Sequence, residues 1–332
     1  MGKEQAEVAV LGSGSWATAL VKMFSSNTDN IAWYIREKDI IEHILKYRHN
    51  PKYLSTVYLD TRKLILTPDI NRAVKLADIL VFVIPSAFLK KSLSNLKTDI
   101  SGKMVCSAIK GIVPEDNYIV GDFFNKNLNI PYRNMVVLTG PTHAEEIAME
   151  KLTYLTIASL DRSQAERVSG LLKNHYLRTF ISDDITGTEY AAVIKNIYAI
   201  AAGIADGLGY GDNFLAVLLS NAATEMNRFV KAVYKNDRDF NSSPYLGDLL
   251  VTAYSKFSRN RMFGNMIGKG YSVRFTRMEM EMVAEGYYAS VCINEINKEL
   301  KVEIPIADTV FRILYQKASP SIEFRKLVDK LK

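Results

Sequence analysis

Near its start the chain runs from a short apolar stretch, Val8 to Leu11, straight into Gly12, Ser13, Gly14, Ser15, Trp16 and Ala17, and on into a helical pattern from Thr18. Few backbones satisfy that order. A strand that ends in GxGxxA and feeds a helix opens a βαβ unit that receives a dinucleotide. The first glycine permits the tight turn, the second lets backbone approach a diphosphate, and the small third residue lets the helix pack on the strand. Amides at the helix N-terminus then face the phosphates. Gly12 and Gly14 are the expected cofactor contacts here. At the end of the second apolar run, where an acidic residue ordinarily bonds the adenosine ribose, the sequence reads Trp33, Tyr34, Ile35, Arg36, Glu37. A guanidinium suits a 2′-phosphate, so Arg36 points to NADP, while the adjacent Glu37 keeps NAD open. A surface arginine with no ligand is the competing reading.

Further apolar runs of strand length recur through the first half: Ile31 to Ile35, Ile79 to Ile84, Met104 to Ile109, Val136 to Thr139 and Leu155 to Ser159. Helical patterns such as Trp16 to Phe24 and Ile70 to Leu76 lie between them. That alternation predicts a parallel sheet with crossover helices. From about Thr188 the period changes to long apolar helical stretches, Glu189 to Ala205, Phe214 to Tyr234 and Val283 to Leu300, with no strand between them. The expected architecture is an α/β doubly wound, Rossmann-like domain over residues 1–187, followed by an all-α domain over residues 188–332. A length of 332 residues, 48% of them hydrophobic, supports two cores.

The formal charge of +6 suits a polyanionic small ligand, but the basic residues are spread along the chain, which argues against nucleic acid. Cys106 and Cys292 are the two cysteines, far apart and in apolar surroundings, so neither a disulfide framework nor a metal site is expected. Such usage fits a reducing, cytoplasmic compartment. No cleavable signal pattern and no apolar run of membrane-spanning length is present, so stable membrane insertion is not expected.

Several polar residues interrupt apolar segments. Lys110 and Gly111 follow one expected strand, and Gly140, Pro141, Thr142, His143, Ala144, Glu145 and Glu146 follow another. Ligands of doubly wound sheets lie beyond such strand ends, although a solvated strand end gives the same pattern. His143 stands in a helix-start signal, so capping context is preferred to a general base. Lys195 and Asn196 interrupt a strongly apolar helical run. A desolvated amine has its pKa lowered and can exchange a proton near neutrality, yet a lysine snorkelling to water fits the same residues. Ser258, Arg259, Asn260 and Arg261, after Gly247 and Asp248, read either as a phosphate clamp or as a polar loop. Glu285 and Gly286 interrupt a last apolar stretch.

Taken in order, GSGSWATAL, VIPSAF, IKG, TGPTHAEE, IKNIYAIAAGIADGLGYGDN, LGDLLVT, SRNRMFG and VAEGY resemble the NAD(P)-dependent glycerol-3-phosphate dehydrogenase family over nearly the whole chain. The resemblance implies reversible reduction of dihydroxyacetone phosphate to sn-glycerol 3-phosphate with NADPH or NADH, a step toward glycerophospholipids, by a homodimer. It implies Lys195 as the proton donor and acceptor, and Lys110 near both substrate and cofactor. Gly140, Thr142, Asp248, Ser258, Arg259 and Asn260 are then substrate contacts, with Arg259 and Asn260 on the phosphate. Ser15, Trp16, Ala144, Arg259, Val283 and Glu285 fall at cofactor positions. Two departures stand out. The basic residue often found two places after the tryptophan is Ile35 here, with Arg36 following, which bears on the choice between NAD and NADP. The proline usual in the segment after Asn50 is absent, Ser55 following Leu54, and no functional reason is evident. The rival enzyme is a two-domain dehydrogenase of hydroxy acids, and the rival of another class is a cofactor-sensing binding protein without turnover; Lys195 and the Arg259 loop argue against the latter.

Overall fold

The computed structural model describes residues 5–280 and 283–332. These form two compact units, one running to Ile109 and resuming over Val120–Ile185, the other made of Lys110–Ile119 and Thr186–Lys332.

The first unit begins β1 (Val8–Leu11), α1 (Ser15–Phe24), β2 (Ile31–Tyr34), α2 (Lys38–Tyr47), β3 (Leu64–Thr67), α3 (Ile70–Leu76), β4 (Ile79–Phe82), α4 (Ser86–Leu93) and β5 (Met104–Ser107). The chain then makes the hairpin β6 (Ile112–Val113) and β7 (Tyr118–Ile119). It returns through α5 (Val120–Leu128), β8 (Met135–Thr139), α6 (Ala144–Ala148), β9 (Thr153–Ala158), α7 (Arg162–Leu172) and β10 (Leu177–Ser182). The sheet order is β10-β9-β8-β5-β4-β1-β2-β3. From β1 the chain builds outward to β2 and β3, then crosses to β4 and builds the other way. The crevice beyond the carboxyl ends of β1 and β4 is thus the topological switch point, where a doubly wound sheet takes its ligand. β1 and β4 are buried along their whole length, as expected of central strands covered by helices on both faces.

The sheet departs from the all-parallel expectation at one pairing, β8 with β9, which is antiparallel. The chain between them turns back through the five-residue α6 and does not cross the sheet. β3 and β10, absent from the strand pattern expected of the sequence, lie at the two edges; β3 is a short run of Leu64, Ile65 and Leu66 before Thr67, and polar residues interrupt the apolar run of β10.

The second unit contains α8 (Ile185–Gly207), α9 (Asp212–Val233), α10 (Asp248–Tyr254), α11 (Arg259–Gly268), α12 (Val273–Glu279), α13 (Glu285–Leu300), α14 (Pro305–Tyr315) and α15 (Pro320–Val328). Every residue from Gly187 to Ala205 is buried, so α8 is the axis of this unit, covered around its whole circumference. The hairpin β6–β7 joins this helical unit because Ile112 and Ile119 sit in its core beside Ile194 and Ile197. A domain read from residue 188 onward omits that hairpin. Its two-residue strands are too short to show a period.

One crossing positions the functional groups. Gly203 and Gly207 on α8 face Gly264 and Gly268 on α11 so closely that a Cβ on any of them would overlap backbone of the other helix. Small residues one turn apart on each partner let the two backbones touch. The N-terminal turn of α11 is thereby fixed against the middle of α8.

Candidate functional site

In the first unit the turn after β1 places Gly12 at φ +132°, a conformation L side chains rarely adopt, and a Cβ there would come within 2.5 Å of the Val83 carbonyl oxygen. Glycine is required twice over. Gly14 is the N-cap of α1 and contributes no side chain, and the first turn holds no acidic residue. The opening amides of α1 and its dipole are therefore available to an anion without a competing carboxylate. Trp16 adds a buried indole Nε1 with no partner among the described residues, a donor in want of an acceptor. Those features fit the diphosphate of a dinucleotide.

Arg36 lies two residues past β2 with its side chain 76% exposed, and its Nη2 pairs with Glu37 Oε1 at 2.7 Å. Glu37 in turn accepts from the Ser13 hydroxyl at 3.3 Å. The acidic residue expected at the strand end is thus present one place later than the arginine, joined both to it and to the glycine turn. Across the sheet, Gly140 follows β8 at φ +106°, the Thr142 hydroxyl donates to the Gly140 carbonyl at 3.2 Å, and Ala144 opens α6, which packs on α1. His143 stands at the N-cap position of α6 and makes no capping hydrogen bond with its side chain.

In the second unit Lys195, only 4% exposed, places its Nζ 2.5 Å from Asp248 Oδ1 and donates to the Thr252 hydroxyl at 3.0 Å. Asp248, 1% exposed, also faces Lys110 Nζ at 3.4 Å through its other oxygen. Two lysines thus share one buried carboxylate. Burial pulls the Lys195 ammonium down to about 7, with the Asp248 carboxylate opposing and Lys110 adding to the fall. An amine at that value gives up or takes a proton near neutral pH.

The same cluster is tied to the start of α11. Asn196 Nδ2 donates to the Lys110 carbonyl at 2.8 Å, Asn260 Nδ2 donates to Asn196 Oδ1 at 3.0 Å, and Gly286 N donates to Asn260 Oδ1 at 2.9 Å. Asn260 is therefore engaged at both ends of its amide, and the expectation that its side chain holds a phosphate meets a residue built into the scaffold. Ser258 is the N-cap of α11 and accepts from Arg261 N at 3.3 Å. That leaves the backbone N–H groups of Arg259 and Asn260, at the first two helical positions, for an anion. The two arginines of the motif also part company. Arg261 donates to the Tyr254 carbonyl at 2.9 Å and pairs with Asp206 at 3.6 Å, whereas no carboxylate among the described residues pairs with Arg259. Glu285 is the first residue of α13, and Val283 lies just ahead of it, outside the helix.

The profile of the NAD-dependent glycerol-3-phosphate dehydrogenase N-terminus matches residues 7–165, and that of its C-terminus residues 184–324. Among curated sequences, glycerol-3-phosphate dehydrogenase [NAD(P)+] of Exiguobacterium sp. is 35% identical over 97% of this chain and 95% of that protein. The Bacillus subtilis protein of the same name is 34% identical over 96% of this chain and 93% of its own length. Among solved structures, glycerol-3-phosphate dehydrogenase from Coxiella burnetii aligns with a TM-score of 0.90 at 26% identity, covering 98% of this chain and 99% of that one. The chain belongs to the NAD-dependent glycerol-3-phosphate dehydrogenase family. It is an NAD(P)-dependent oxidoreductase.

As a member of that family the chain carries two residues around its central lysine that sequence reasoning left without a role, Thr252 and Asn196. Thr252 stands one helical turn after Asp248 in the segment LGDLLVT, a spacing that puts both on one face of α10 and was the available signal. Burial pushes the Cys106 and Cys292 thiols up to about 12, away from the thiolate form. Among the described residues no group of three His, Cys, Asp or Glu could hold a metal ion, and no helix is long and apolar enough to cross a membrane.

Proposed function

We propose that the chain reduces dihydroxyacetone phosphate to sn-glycerol 3-phosphate, reversibly, with Lys195 as the acid and base. The observation that carries this reading is the buried Lys195–Asp248 pair with its neighbours Lys110 and Thr252. Reduction adds a hydride to C2 and a proton to the C2 oxygen. The nicotinamide supplies the hydride when the cofactor is bound. Lys195, as the ammonium, donates to the C2 oxygen and stabilises the charge that develops there. In the reverse direction the neutral amine removes the hydroxyl proton. Asp248 holds the amine in place, and Lys110 contributes the second positive charge. The phosphate is held by the Arg259 guanidinium and the first amides of α11, a planar fork beside a helix N-terminus. Gly12, Gly14, Ser15 and Trp16 bind the cofactor diphosphate; family resemblance suggests Ala144, Val283 and Glu285 as further cofactor contacts and Gly140 and Thr142 as substrate contacts.

Both cofactors are accepted on this reading. Glu37 suits the 2′-hydroxyl of NADH, and Arg36, exposed beside it, suits the 2′-phosphate of NADPH. The reaction serves glycerophospholipid synthesis in the cytoplasm, with two buried free cysteines consistent with a reducing compartment. Family resemblance further suggests a homodimer, which light scattering would report as a mass about twice 37.4 kDa. The central test is the loss of cofactor absorbance on adding dihydroxyacetone phosphate, with NADPH and then with NADH. No turnover with either overturns the proposal.

A further inference from the structure

Asn50 has no part in the chemistry, yet it is fully buried and both hydrogen bonds that its amide nitrogen makes bear on the glycine turn. Its Nδ2 donates to the Ser13 carbonyl at 3.1 Å and to the Thr18 hydroxyl at 3.1 Å. The Thr18 hydroxyl donates onward to the Gly14 carbonyl at 3.1 Å. Trp33 Nε1 donates to the Gly12 carbonyl at 2.7 Å. Three consecutive carbonyl oxygens of the glycine turn, those of Gly12, Ser13 and Gly14, therefore each accept from a side chain, one directly from Asn50 and one through its relay. Asn50 Oδ1 accepts from Lys52 N at 3.1 Å and Tyr53 N at 3.2 Å, which settles which end of the amide faces the turn.

In a trans peptide the carbonyl of one residue and the N–H of the next point in opposite directions. Tying back the carbonyls of residues 12, 13 and 14 thus sets the direction of the N–H groups of Ser13, Gly14 and Ser15. It also removes three negative dipole ends from the side an anion would approach. A turn of two glycines has little conformational preference of its own. We infer that Asn50, with Thr18 as its relay and Trp33 on the neighbouring carbonyl, is the positioning residue that holds the amides of the glycine turn toward the cofactor diphosphate. This rests on the cofactor reading of Gly12 and Gly14.

Asn50→Asp tests it, because the carboxylate keeps the acceptor for Lys52 and Tyr53 and removes the donor to Ser13 and Thr18. The dissociation constants of NADPH and of ADP-ribose, followed by fluorescence and calorimetry, should rise together by roughly tenfold or more. Turnover at saturating cofactor should stay within about threefold, so that the effect falls on KM. Leu172→Ala, a core truncation on α7, is the control for a general loss of stability. Loss of affinity in Asn50→Asp beyond that of Leu172→Ala supports the clamp. Affinity within about twofold of the parent, or a loss that the control matches, overturns it. Should Asn50→Asp fail to fold, Thr18→Val removes the hydroxyl that accepts from Asn50 and donates to the Gly14 carbonyl, and an unchanged NADPH affinity in that variant overturns the proposal. If the unaltered chain binds no NADPH, the cofactor site and the clamp fall together; if it binds NADPH and Asn50→Asp binds it as tightly, only the clamp fails.

Discussion

The glycine turn of the first unit would meet its ligand with main-chain amides at the start of α1, and its side chains serve chiefly by being absent, as at Gly12 and Gly14, or by facing away, as Asn50 does. The Lys195 cluster of the second unit is the reverse. Its functional atoms are the ends of Lys195, Lys110, Asp248 and Thr252, and its glycines, Gly203 and Gly264 among them, lie behind the cluster and bring two helices together. A backbone-built site tolerates most changes of side chain and fails on added atoms. A side-chain site fails when atoms are removed. The difference follows from the two tasks: a diphosphate asks for many weak, fixed donors, whereas proton transfer asks for one group of tuned affinity.

The comparison breaks most sharply at Lys195. Lys195→Ala should lower turnover by about 10² to 10⁴ while NADPH binds as before; near-normal turnover measured by cofactor absorbance would refute its role. Arg259→Ala comes next. Loss of a charged hydrogen-bonding group of about 1.5–3 kcal/mol should raise the Michaelis constant for dihydroxyacetone phosphate roughly tenfold to a hundredfold, and an unchanged constant counts against the clamp. Arg261→Ala, already tied to Asp206 and Tyr254, should leave that constant near the parent value.

The pH profile sharpens the contrast further. Reduction needs the Lys195 ammonium and should fall as pH rises through about 7, while oxidation needs the free amine and should rise through the same range. Parallel limbs in the two directions would remove Lys195 as the titrating group. The same shift has a stability consequence of fixed sign. Because the folded value lies below the ordinary lysine value of 10.5, the unfolded chain binds more protons between about 7 and 10.5, and this group makes stability increase with pH across that window. A small effect is expected at Arg36, which is exposed and already paired. Arg36→Ala should raise the Michaelis constant for NADPH a few-fold and leave that for NADH alone. A preference for NADH that Arg36→Ala leaves unchanged would assign the arginine to the surface.

Legibility in the sequence followed the same division. Gly12 was readable because local backbone geometry demands glycine there, and β1, β4 and α8 because their burial forces long apolar runs. The edge strands were not: β3 offers only Leu64, Ile65 and Leu66 before Thr67, and β10, half-exposed, admits polar residues. Lys195 alone was ambiguous between a snorkelling and a titrating lysine; what decides its environment is its burial beside Asp248, which a different helix supplies. Arg259 and Arg261 are alike as letters, and only the register of α11 against α8 separates the free guanidinium from the tied one. Asn50 gave no signal, because asparagine is common in turns and the donors that make it useful reach across 32 and 37 positions.

The hairpin of Lys110–Ile119 gives the chain three passages between its compact units, at residues 109/110, 119/120 and 185/186. Neither unit is a continuous stretch of gene. A fragment beginning at Thr186 would carry Lys195, Asp248 and Arg259 but would lack Lys110, the carbonyl that Asn196 grips, and two isoleucines of its own core. No single cut of the chain releases the second unit whole, so the glycine turn and the Lys195 cluster are carried together in one reading frame.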